Sequence, residues 1–377
     1  MSSQVFKLAD LFCGPGGLSL GLISATTKSG SGEEYKIKSV WANDIDEDSC
    51  KTYARNIHGG HSTNVICAPV ETIDFNEVPK FDVVAFGFPC NDFSVVGEQN
   101  GFNGKYGPLY AYGVKAINIH NPKWFMAENV SGLQSANDGK AFEKILHDLK
   151  NAGKGYNITA NLYKFEEYGV PQTRHRVVII GIRKDLGLEF RVPSPITKGQ
   201  YITAREALER PPIPIDAENN EMTQQSKIVV ERLRHIPPGE NAWYEGLPKH
   251  LRLDVKSARM SQIYRRLHPD KPSYTITGSG GGGTHGYHWK EDRALTNRER
   301  ARIQTFPDNF IFEGSKESVR KQIGMAVPVK GAKIIAEAVL KTLADIPYDW
   351  VSPKLTNGNG SGYAQKPLFE YADLKSA

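Results

Sequence analysis

Short apolar segments alternate with longer amphipathic segments from Val5 to about Arg183. The apolar segments are rich in β-branched and aromatic residues, which favour strands, and the amphipathic segments have helical periodicity. The strand candidates are VFKLADLF, YKIKSVWAND, NVICAP, FDVVAFGF, KWFMAEN, ITANLYKF and RVVIIGIR. The helix candidates between them are LSLGLISATT, DSCKTYARNI, LYAYGVKAINI and KAFEKILHDLKNAG. This alternation predicts an α/β fold with a Rossmann-like, mostly parallel sheet.

The pattern changes after Asp185, where the sequence becomes proline-rich, polar and weakly periodic. Such texture is typical of a separate, irregular domain. A helical pattern returns in VKGAKIIAEAVLKTLADI, which could pack back on the first domain, and the Gly/Asn/Ser-rich end predicts a flexible tail. We therefore expect a first domain over 1–188, a smaller irregular domain over 189–320, a returning segment over 321–350 and a tail over 351–377.

Composition narrows the class of protein only modestly. A hydrophobic content of 39% over 377 residues is that of an ordinary globular protein, and a net charge of +5 permits a polyanionic partner without demonstrating one. No apolar run approaches the ~20 residues that span a bilayer, and the first residues lack a signal-peptide pattern. These features predict a cytoplasmic protein without membrane contact.

The four cysteines form no CxxC pair and have no histidines at zinc spacing, so we expect neither a disulfide framework nor a metal site. Free cysteines are usually small buried apolar residues, and Cys13, Cys50 and Cys67 are interpreted in that way. Cys90 is different, because it directly follows the fourth predicted strand at the sheet edge where open α/β folds bind ligands. Its thiolate is a candidate nucleophile.

A glycine-rich turn, in LADLFCGPGGLSLGL, separates the first predicted strand from the first helix. Glycines there let a ligand approach the backbone, although a tight turn without a ligand has the same pattern. The second predicted strand ends at Asp44, whose carboxylate could accept both hydroxyls of a ribose or cap the next helix. Together the two features favour a cofactor that contains adenosine.

Polar side chains at two further strand ends are candidates for catalysis. Glu128 ends an apolar strand at the same edge as Cys90, where burial could keep it partly protonated and able to donate to a ring nitrogen. A helix cap or a hydrogen bond to a loop is the alternative. Alternation in VPQTRHRVVIIGIR places Arg174 and Arg176 on one side, aimed at an anion or a carbonyl oxygen. A solvated edge strand guarded by charges is the other interpretation.

Several segments, in chain order, resemble the motif set of the DNA cytosine-C5 methyltransferase family. They are DLFCGPGG, NDID, GFPCNDFS, AENV, PQTRHR, RALTNRERARIQTFP and QIGMAVP, and they cover most of the chain outside its variable middle and tail. The resemblance implies a bacterial DNA (cytosine-5-)-methyltransferase of the restriction–modification type with the class I methyltransferase fold. It also implies S-adenosyl-L-methionine as cofactor, duplex DNA with a specific sequence as substrate, and a restriction endonuclease acting on the same site. We expect a monomer that works at the nucleoid.

The resemblance implies roles for individual residues. Cys90 is the expected nucleophile that adds to C6 of a flipped cytosine, Glu128 binds N3 and the amino group, and Arg174 and Arg176 lie near the base. The cofactor-binding residues implied are Asp10, Phe12, Gly14, Gly16, Gly17, Asp44, Ile45, Pro89, Leu109 and Val327. No metal is implied, and 189–320 is expected to recognise the target, with the run GSGGGGTHGYHW as either a linker or a backbone laid against DNA.

The sequence departs from the family pattern at three places. Asn91 replaces the usual Gln, Met325 replaces the usual Asn, and ICAPVETID lacks the acid that commonly contacts adenine. Rival interpretations are a tRNA cytosine-C5 methyltransferase on the same scaffold, a nucleotide-binding oxidoreductase and a catalytically silent DNA-binding relative. The oxidoreductase leaves PCNDFS, AENV and QTRHR unexplained.

Overall fold

The computed structural model describes residues 2–88, 109–254, 260–281 and 283–355. Pro89, Cys90 and Asn91 therefore lie outside the described residues. The strands are β1 Ser3–Leu11, β2 Thr26–Lys28, β3 Glu34–Asp44, β4 Val65–Cys67, β5 Val83–Gly87, β6 Trp124–Val130, β7 Tyr156–Lys164, β8 Gln172–Thr173, β9 His175–Arg183, β10 Val192–Pro193, β11 Ser273–Tyr274 and β12 Trp350–Val351. The α-helices are α1 Gly17–Ile23, α2 Glu47–Ile57, α3 Tyr110–His120, α4 Lys140–Asn151, α5 Ala204–Glu209, α6 Lys227–Arg234, α7 Asn297–Ile303, α8 Lys316–Met325 and α9 Val329–Leu343.

An eight-stranded sheet organises the first half of the chain, in the order β2-β3-β1-β5-β6-β9-β7 with β4 beside β3. Strand β1 pairs in parallel with β3 and β5, and β5 pairs in parallel with β6. Strand β9 runs antiparallel between β6 and β7, and β2 is antiparallel to β3. The predicted α/β fold with a mostly parallel sheet is confirmed.

The central strands are apolar on both faces because helices cover both sides of the sheet. In β5, Val84 and Phe86 belong to one apolar cluster, and Val83 and Ala85 belong to the cluster on the opposite face. Alternate residues of a strand point to opposite faces, so one short strand supplies both cores. The carboxyl ends of β5 and β6 are thereby fixed side by side.

Several of the predicted elements are shorter than expected. The helix predicted over LSLGLISATT ends at Ile23, and its threonines form part of β2, where β-branched residues pair with β3. The predicted strand NVICAP is reduced to β4, at the margin of the sheet beside β3. Cys67 ends this strand and is exposed, so the interpretation of Cys67 as a buried residue was wrong, whereas Cys13 and Cys50 are buried.

The end of the described chain packs on the first domain. Helix α9 places Ile335, Ala336 and Val339 in the same apolar cluster as β1. Strand β12 pairs with β10, and Leu355 forms a bridge with Ala160 of β7. The tail that was expected to begin at 351 is therefore attached to the sheet as far as 355, because apolar residues in this stretch find buried partners.

Residues beyond β10 build an apolar cluster of their own. It contains Leu208, Leu267, Trp289, Phe306 and Phe310. Strand β11 from this region pairs in parallel with β8, so the region is joined to the first domain through the sequence that carries the two arginines. Among the described residues, no helix has the length and apolar character needed to cross a membrane.

Candidate active site

A buried ion pair lies where β5 and β6 end. Gly87 of β5 is the register partner of Glu128 in β6, and Nε of Arg176, from β9, lies 3.0 Å from Oε1 of Glu128. Both side chains are largely buried, with 12% of Glu128 and 14% of Arg176 exposed. The ion pair thus joins β6 to β9 and holds Glu128 beside a cation.

Burial raises the pKa of Glu128 above its ordinary value of 4.5, although the positive charges of Arg176 and Arg174 act in the opposite direction. Removing a carboxylate from water disfavours its charged form, and here that effect outweighs two cations. The group consequently holds its proton at a higher pH than an exposed glutamate does. A protonated carboxyl can donate a hydrogen bond to a ring nitrogen.

Asn129 fixes the backbone that leads toward the predicted nucleophile. Its Nδ2 donates to the carbonyl oxygen of Phe88 at 3.2 Å, and its Oδ1 accepts from the amide of Val130 at 2.8 Å. Phe88 directly precedes Pro89 and Cys90 in the sequence. The sequence motif AENV contains Asn129 but indicated no role for it, because its bond to Phe88 joins two strand ends that are distant in the sequence.

The other predicted arginine has a different contact. Arg174 donates from Nη1 to the carbonyl oxygen of Ile276 at 3.1 Å, and the amide of Ile276 donates to Oε1 of Gln172 at 2.8 Å. Arg174 lies between the end of β8 and the start of β9, so simple alternation does not place it with Arg176. It remains close enough to influence Glu128, but it also secures the backbone of the region beyond β10.

The glycine turn after β1 has the left-handed backbone that its sequence favours. The φ angles of Phe12, Gly14 and Gly16 are 56°, 52° and 97°. The amide of Gly14 donates to Oδ2 of Asp44 at 2.8 Å, and the amide of Asp46 donates to Oδ1 of Asp44 at 2.9 Å. Asp46, not Asp44, caps α2 by accepting from Ser49. Asp44 therefore braces the turn, and burial raises its pKa.

The structure describes the other predicted cofactor residues except Pro89, which lies outside the described residues. A Cβ at Gly17 would lie 2.6 Å from the carbonyl oxygen of Val327, so only glycine lets α1 approach the backbone before α9. Phe12 and Leu109 pack against the same apolar cluster. The side chain of Ile45 is 70% exposed next to Asp44 and can offer an apolar contact to a ligand.

Asp10 begins a chain of hydrogen bonds that sequence reasoning missed. Oγ of Ser19 donates to its Oδ2 at 2.6 Å and lies 2.7 Å from the hydroxyl of Tyr53, which lies 2.9 Å from Oγ of Ser39. Ser39 in turn contacts Nε2 of His58 at 2.9 Å. Burial raises the pKa of Asp10 to about 7. These partners come from three separate elements, so no local pattern announces them.

The residues around the turn fit an adenosine-containing methyl donor. Each oxygen of Asp44 accepts one backbone hydrogen bond and keeps a lone pair for a hydroxyl group. Oδ1 of Asp10 is buried and has no hydrogen-bond partner among the described residues, which suits a site that receives positive charge. Met325, at the end of α8, is 65% exposed. Within the described ranges, no group of His, Cys, Asp and Glu could hold a metal ion.

Comparison with known proteins identifies the family. The family described as C-5 cytosine-specific DNA methylase matches residues 6–341. The Type II methyltransferase M.BbvI of Brevibacillus brevis is 60% identical, over 93% of this chain and 94% of its own length. The Type II methyltransferase M.NgoFVII of Neisseria gonorrhoeae is 42% identical, over 91% of this chain and 89% of its own length.

Solved structures show the same fold. A DNA modification methyltransferase encoded within an E. coli prophage is similar with a TM-score of 0.69 and 24% identity, over 90% of this chain and 99% of that one. The Dnmt2 methyltransferase of S. pombe is similar with a TM-score of 0.57 and 15% identity, over 89% of this chain and 98% of that one. The chain belongs to the C-5 cytosine-specific DNA methylase family and is a DNA cytosine-C5 methyltransferase of the restriction–modification type.

Proposed function

We propose that the protein methylates a cytosine that has left the DNA helix, through a covalent bond between the sulfur of Cys90 and C6 of the ring. The observation that carries the proposal is the buried pair of Glu128 and Arg176 beside the backbone that leads into Cys90. A carboxyl group with a raised pKa can donate to N3, and the neighbouring guanidinium can offset negative charge on the ring.

Cytosine C5 is a weak nucleophile until another nucleophile has added at C6. The Cys90 thiolate forms the sulfur–carbon bond, the ring electrons move toward N3, and Glu128 transfers its proton there as the charge builds. When bound, S-adenosylmethionine supplies the methyl group that C5 takes up. Water takes the C5 proton, the electrons of that C–H bond form the C5–C6 double bond as the Cys90 thiolate leaves, and Glu128 recovers its proton from N3.

Residues around the glycine turn would hold that cofactor. Asp44 offers acceptors for the ribose hydroxyls, and Ile45 and Leu109 offer apolar contacts. Gly14 leaves open space for the ligand, whereas Gly16 and Gly17 let the turn pack closely on the protein beside it. Phe12, Pro89 and Val327 complete the proposed set, with Asp10 beneath it. The assignment is supported by the chemistry of these groups and by the fold that the family shares.

The target atom is stacked inside duplex DNA, so the base has to leave the helix, which costs a few kcal/mol. We propose that 189–320 supplies the contacts that offset this cost and recognise a specific sequence. The link between Ile276 and the Gln172–Arg174 segment supports this division of labour, because it ties that region to the catalytic strand. We also propose that the protein acts as a monomer. The names of the type II relatives support a further proposal, that a restriction endonuclease of the same specificity accompanies it.

The test is methyl transfer from labelled S-adenosylmethionine to mixed-sequence duplex DNA and to tRNA, by wild type and Cys90→Ser. We expect label in DNA, none in tRNA, and loss of activity in Cys90→Ser. The matched control is Cys67→Ser, which changes an exposed thiol at the edge of the sheet. Label in tRNA alone would contradict the substrate, and full activity of Cys90→Ser would contradict the mechanism.

A further inference from the structure

Two free thiols lie beside the turn that joins β3 to α2. Cys50 belongs to α2, and Cys67 ends β4, where it is the register partner of Asp44. Sγ of Cys50 donates to the carbonyl oxygen of Asp44 at 3.5 Å, and Sγ of Cys67 donates to the carbonyl oxygen of Ile45 at 3.8 Å. The amide of Ala68 donates to the same oxygen of Asp44 at 3.0 Å. The two sulfur atoms are thus held by the carbonyl groups of consecutive residues.

The two thiols differ in their access to solvent. Cys67 is exposed and Cys50 is buried, and both line an open cavity of about 650 Å³. Burial, and then the neighbouring Cys67, raise the pKa of the Cys50 thiol, and a hydrogen bond between the two side chains acts in the same direction. Cys67 can therefore meet a dissolved reagent while Cys50 stays protonated beside it. A solvent-accessible thiol next to a second thiol is typical of redox-sensing cysteine pairs.

Cys13, the remaining free thiol that the structure describes, lacks this access. It is buried in the glycine turn after β1. Burial, and then the charges of Asp44 and Asp10, raise the pKa of its thiol well above the usual value. A thiol that is both shielded and held in its protonated form reacts slowly with an oxidant. Cys67 is therefore the first of these three thiols to be oxidised.

We propose that Cys50 and Cys67 form a modification site for hydrogen peroxide, which converts the two thiols into a disulfide between α2 and β4. The Cys67 sulfur attacks one peroxide oxygen, the O–O bond breaks, and the leaving hydroxide takes the Cys67 proton as water. The Cys50 sulfur then attacks the sulfenic acid of Cys67, so that an S–S bond forms and the S–O bond breaks. The second hydroxide takes the Cys50 proton and leaves as water. The two sulfur atoms lose two electrons, which the peroxide accepts.

The position of the pair connects this oxidation to the cofactor site, a consequence that rests on the proposed function. A disulfide sulfur carries no proton, so the carbonyl groups of Asp44 and Ile45 both lose their thiol donors. The carboxylate of Asp44 is the proposed acceptor of the ribose hydroxyls, and the exposed side chain of Ile45 is a proposed apolar contact. Oxidation therefore shifts the turn that carries both groups and weakens the binding of S-adenosylmethionine.

The first experiment tests whether the disulfide forms. The parent protein is Cys90→Ser, because Cys90 is itself a reactive thiol, and the control carries Cys67→Ser in addition. Both are treated with hydrogen peroxide, freed of the reagent and analysed by intact-mass and peptide mass spectrometry. We expect the parent to lose two hydrogen atoms and to give a cross-linked peptide pair that contains Cys50 and Cys67, whereas the control gives none. An uncross-linked parent, or a cross-link through Cys13, would overturn the proposal.

The second experiment measures binding of S-adenosylmethionine to the same proteins by isothermal titration calorimetry, without DNA. Oxidation of the parent should raise Kd about fivefold, as expected for one lost hydrogen bond, and dithiothreitol should restore the original value. The control should keep its Kd after peroxide treatment. A disulfide that leaves Kd unchanged would overturn the connection to the cofactor site. Failure of the reduced parent to bind S-adenosylmethionine would contradict the proposed function, while the peptide analysis still decides whether the disulfide forms.

Discussion

Asp10 is a buried carboxyl group whose charge is costly in the folded protein. Asp10 is 1% exposed. Burial raises the pKa of its carboxyl group from 3.8 to about 7, although the hydrogen bond from Ser19 lowers that pKa. A shift of roughly three units corresponds to about 4 kcal/mol, at about 1.36 kcal/mol per unit. Asp10→Asn removes the charge and nearly preserves the shape, so it isolates this effect.

Whether stability rises or falls with pH depends on which state, folded or unfolded, loses the Asp10 proton first. Because the folded-state pKa is raised, the unfolded chain releases its proton first as the pH rises. The contribution of Asp10 to the free energy of unfolding is therefore fully present below the unfolded-state pKa. It is lost as the pH rises from about 4 to about 7. Roughly two units of this window lie above pH 5, so wild type should lose about 3 kcal/mol relative to Asp10→Asn between pH 5 and pH 8.

The assay is urea unfolding of wild type and Asp10→Asn at a series of pH values in that range. The difference in the free energy of unfolding is the quantity to compare, because other titrating groups affect both proteins alike. Asp216→Asn, which changes an exposed carboxyl, is the control and should show no such trend. A difference between wild type and Asp10→Asn that stays constant with pH would refute the reasoning.

Three further substitutions test the site. Glu128→Gln should lower kcat on duplex DNA by about 10²–10³-fold without weakening DNA binding, because an amide cannot pass a proton to the ring. Glu143→Gln, at an exposed position of α4, is its control. Tyr53→Phe breaks the chain of hydrogen bonds between Ser19 and Ser39. We expect the KM for S-adenosylmethionine to rise about fivefold with kcat retained, since one lost hydrogen bond is worth about 1 kcal/mol. Gly17→Ala brings a methyl group to 2.6 Å from the carbonyl oxygen of Val327. It should lower the free energy of unfolding by about 1–3 kcal/mol. The control Gly30→Ala, where a methyl group meets no atom within 4 Å, should change that free energy by less than about 0.5 kcal/mol.

A specific result would contradict the prediction for each of the three substitutions. Full kcat in Glu128→Gln would remove the proton donor from the mechanism. An unchanged KM in Tyr53→Phe would show that the hydrogen-bond chain has no part in cofactor binding. Equal stability of the two glycine variants, measured by urea unfolding, would contradict the close contact between α1 and the backbone of Val327.

The local pattern of apolar residues was enough to predict the central strands and the candidate catalytic residues at their carboxyl ends. Strands β5 and β6 are continuous apolar runs that end in distinctive residues, so Glu128 could be placed at the carboxyl edge. The position of β9 between β6 and β7 could not be predicted from any one segment of the sequence, because long-range packing determines which strands pair. For the same reason Cys67 was misjudged: its apolar run says nothing of its position at the margin of the sheet.

The contacts made across long separations in the chain were beyond sequence reasoning. The pairing of Arg176 with Glu128 could be expected from the motifs, but the hold of Arg174 on Ile276 depends on where the region after β10 returns to the sheet. The buried Arg300 and Arg320 look like ordinary surface arginines in RALTNRERARIQTFP and SKESVRKQIGM. Helical periodicity alone does not reveal that a glycine segment covers them.

The central claim is that Cys90 bonds to the ring that Glu128 and Arg176 hold. Its most direct measurement is denaturing electrophoresis of the protein after incubation with S-adenosylmethionine and duplex DNA that contains 5-fluorocytosine, in which the fluorine blocks loss from C5. Wild type and Cys67→Ser should form a protein–DNA adduct, with the attachment mapped to the peptide that contains Cys90, and Cys90→Ser should form none. An adduct of equal yield in Cys90→Ser, or one mapped to another residue, would contradict the account.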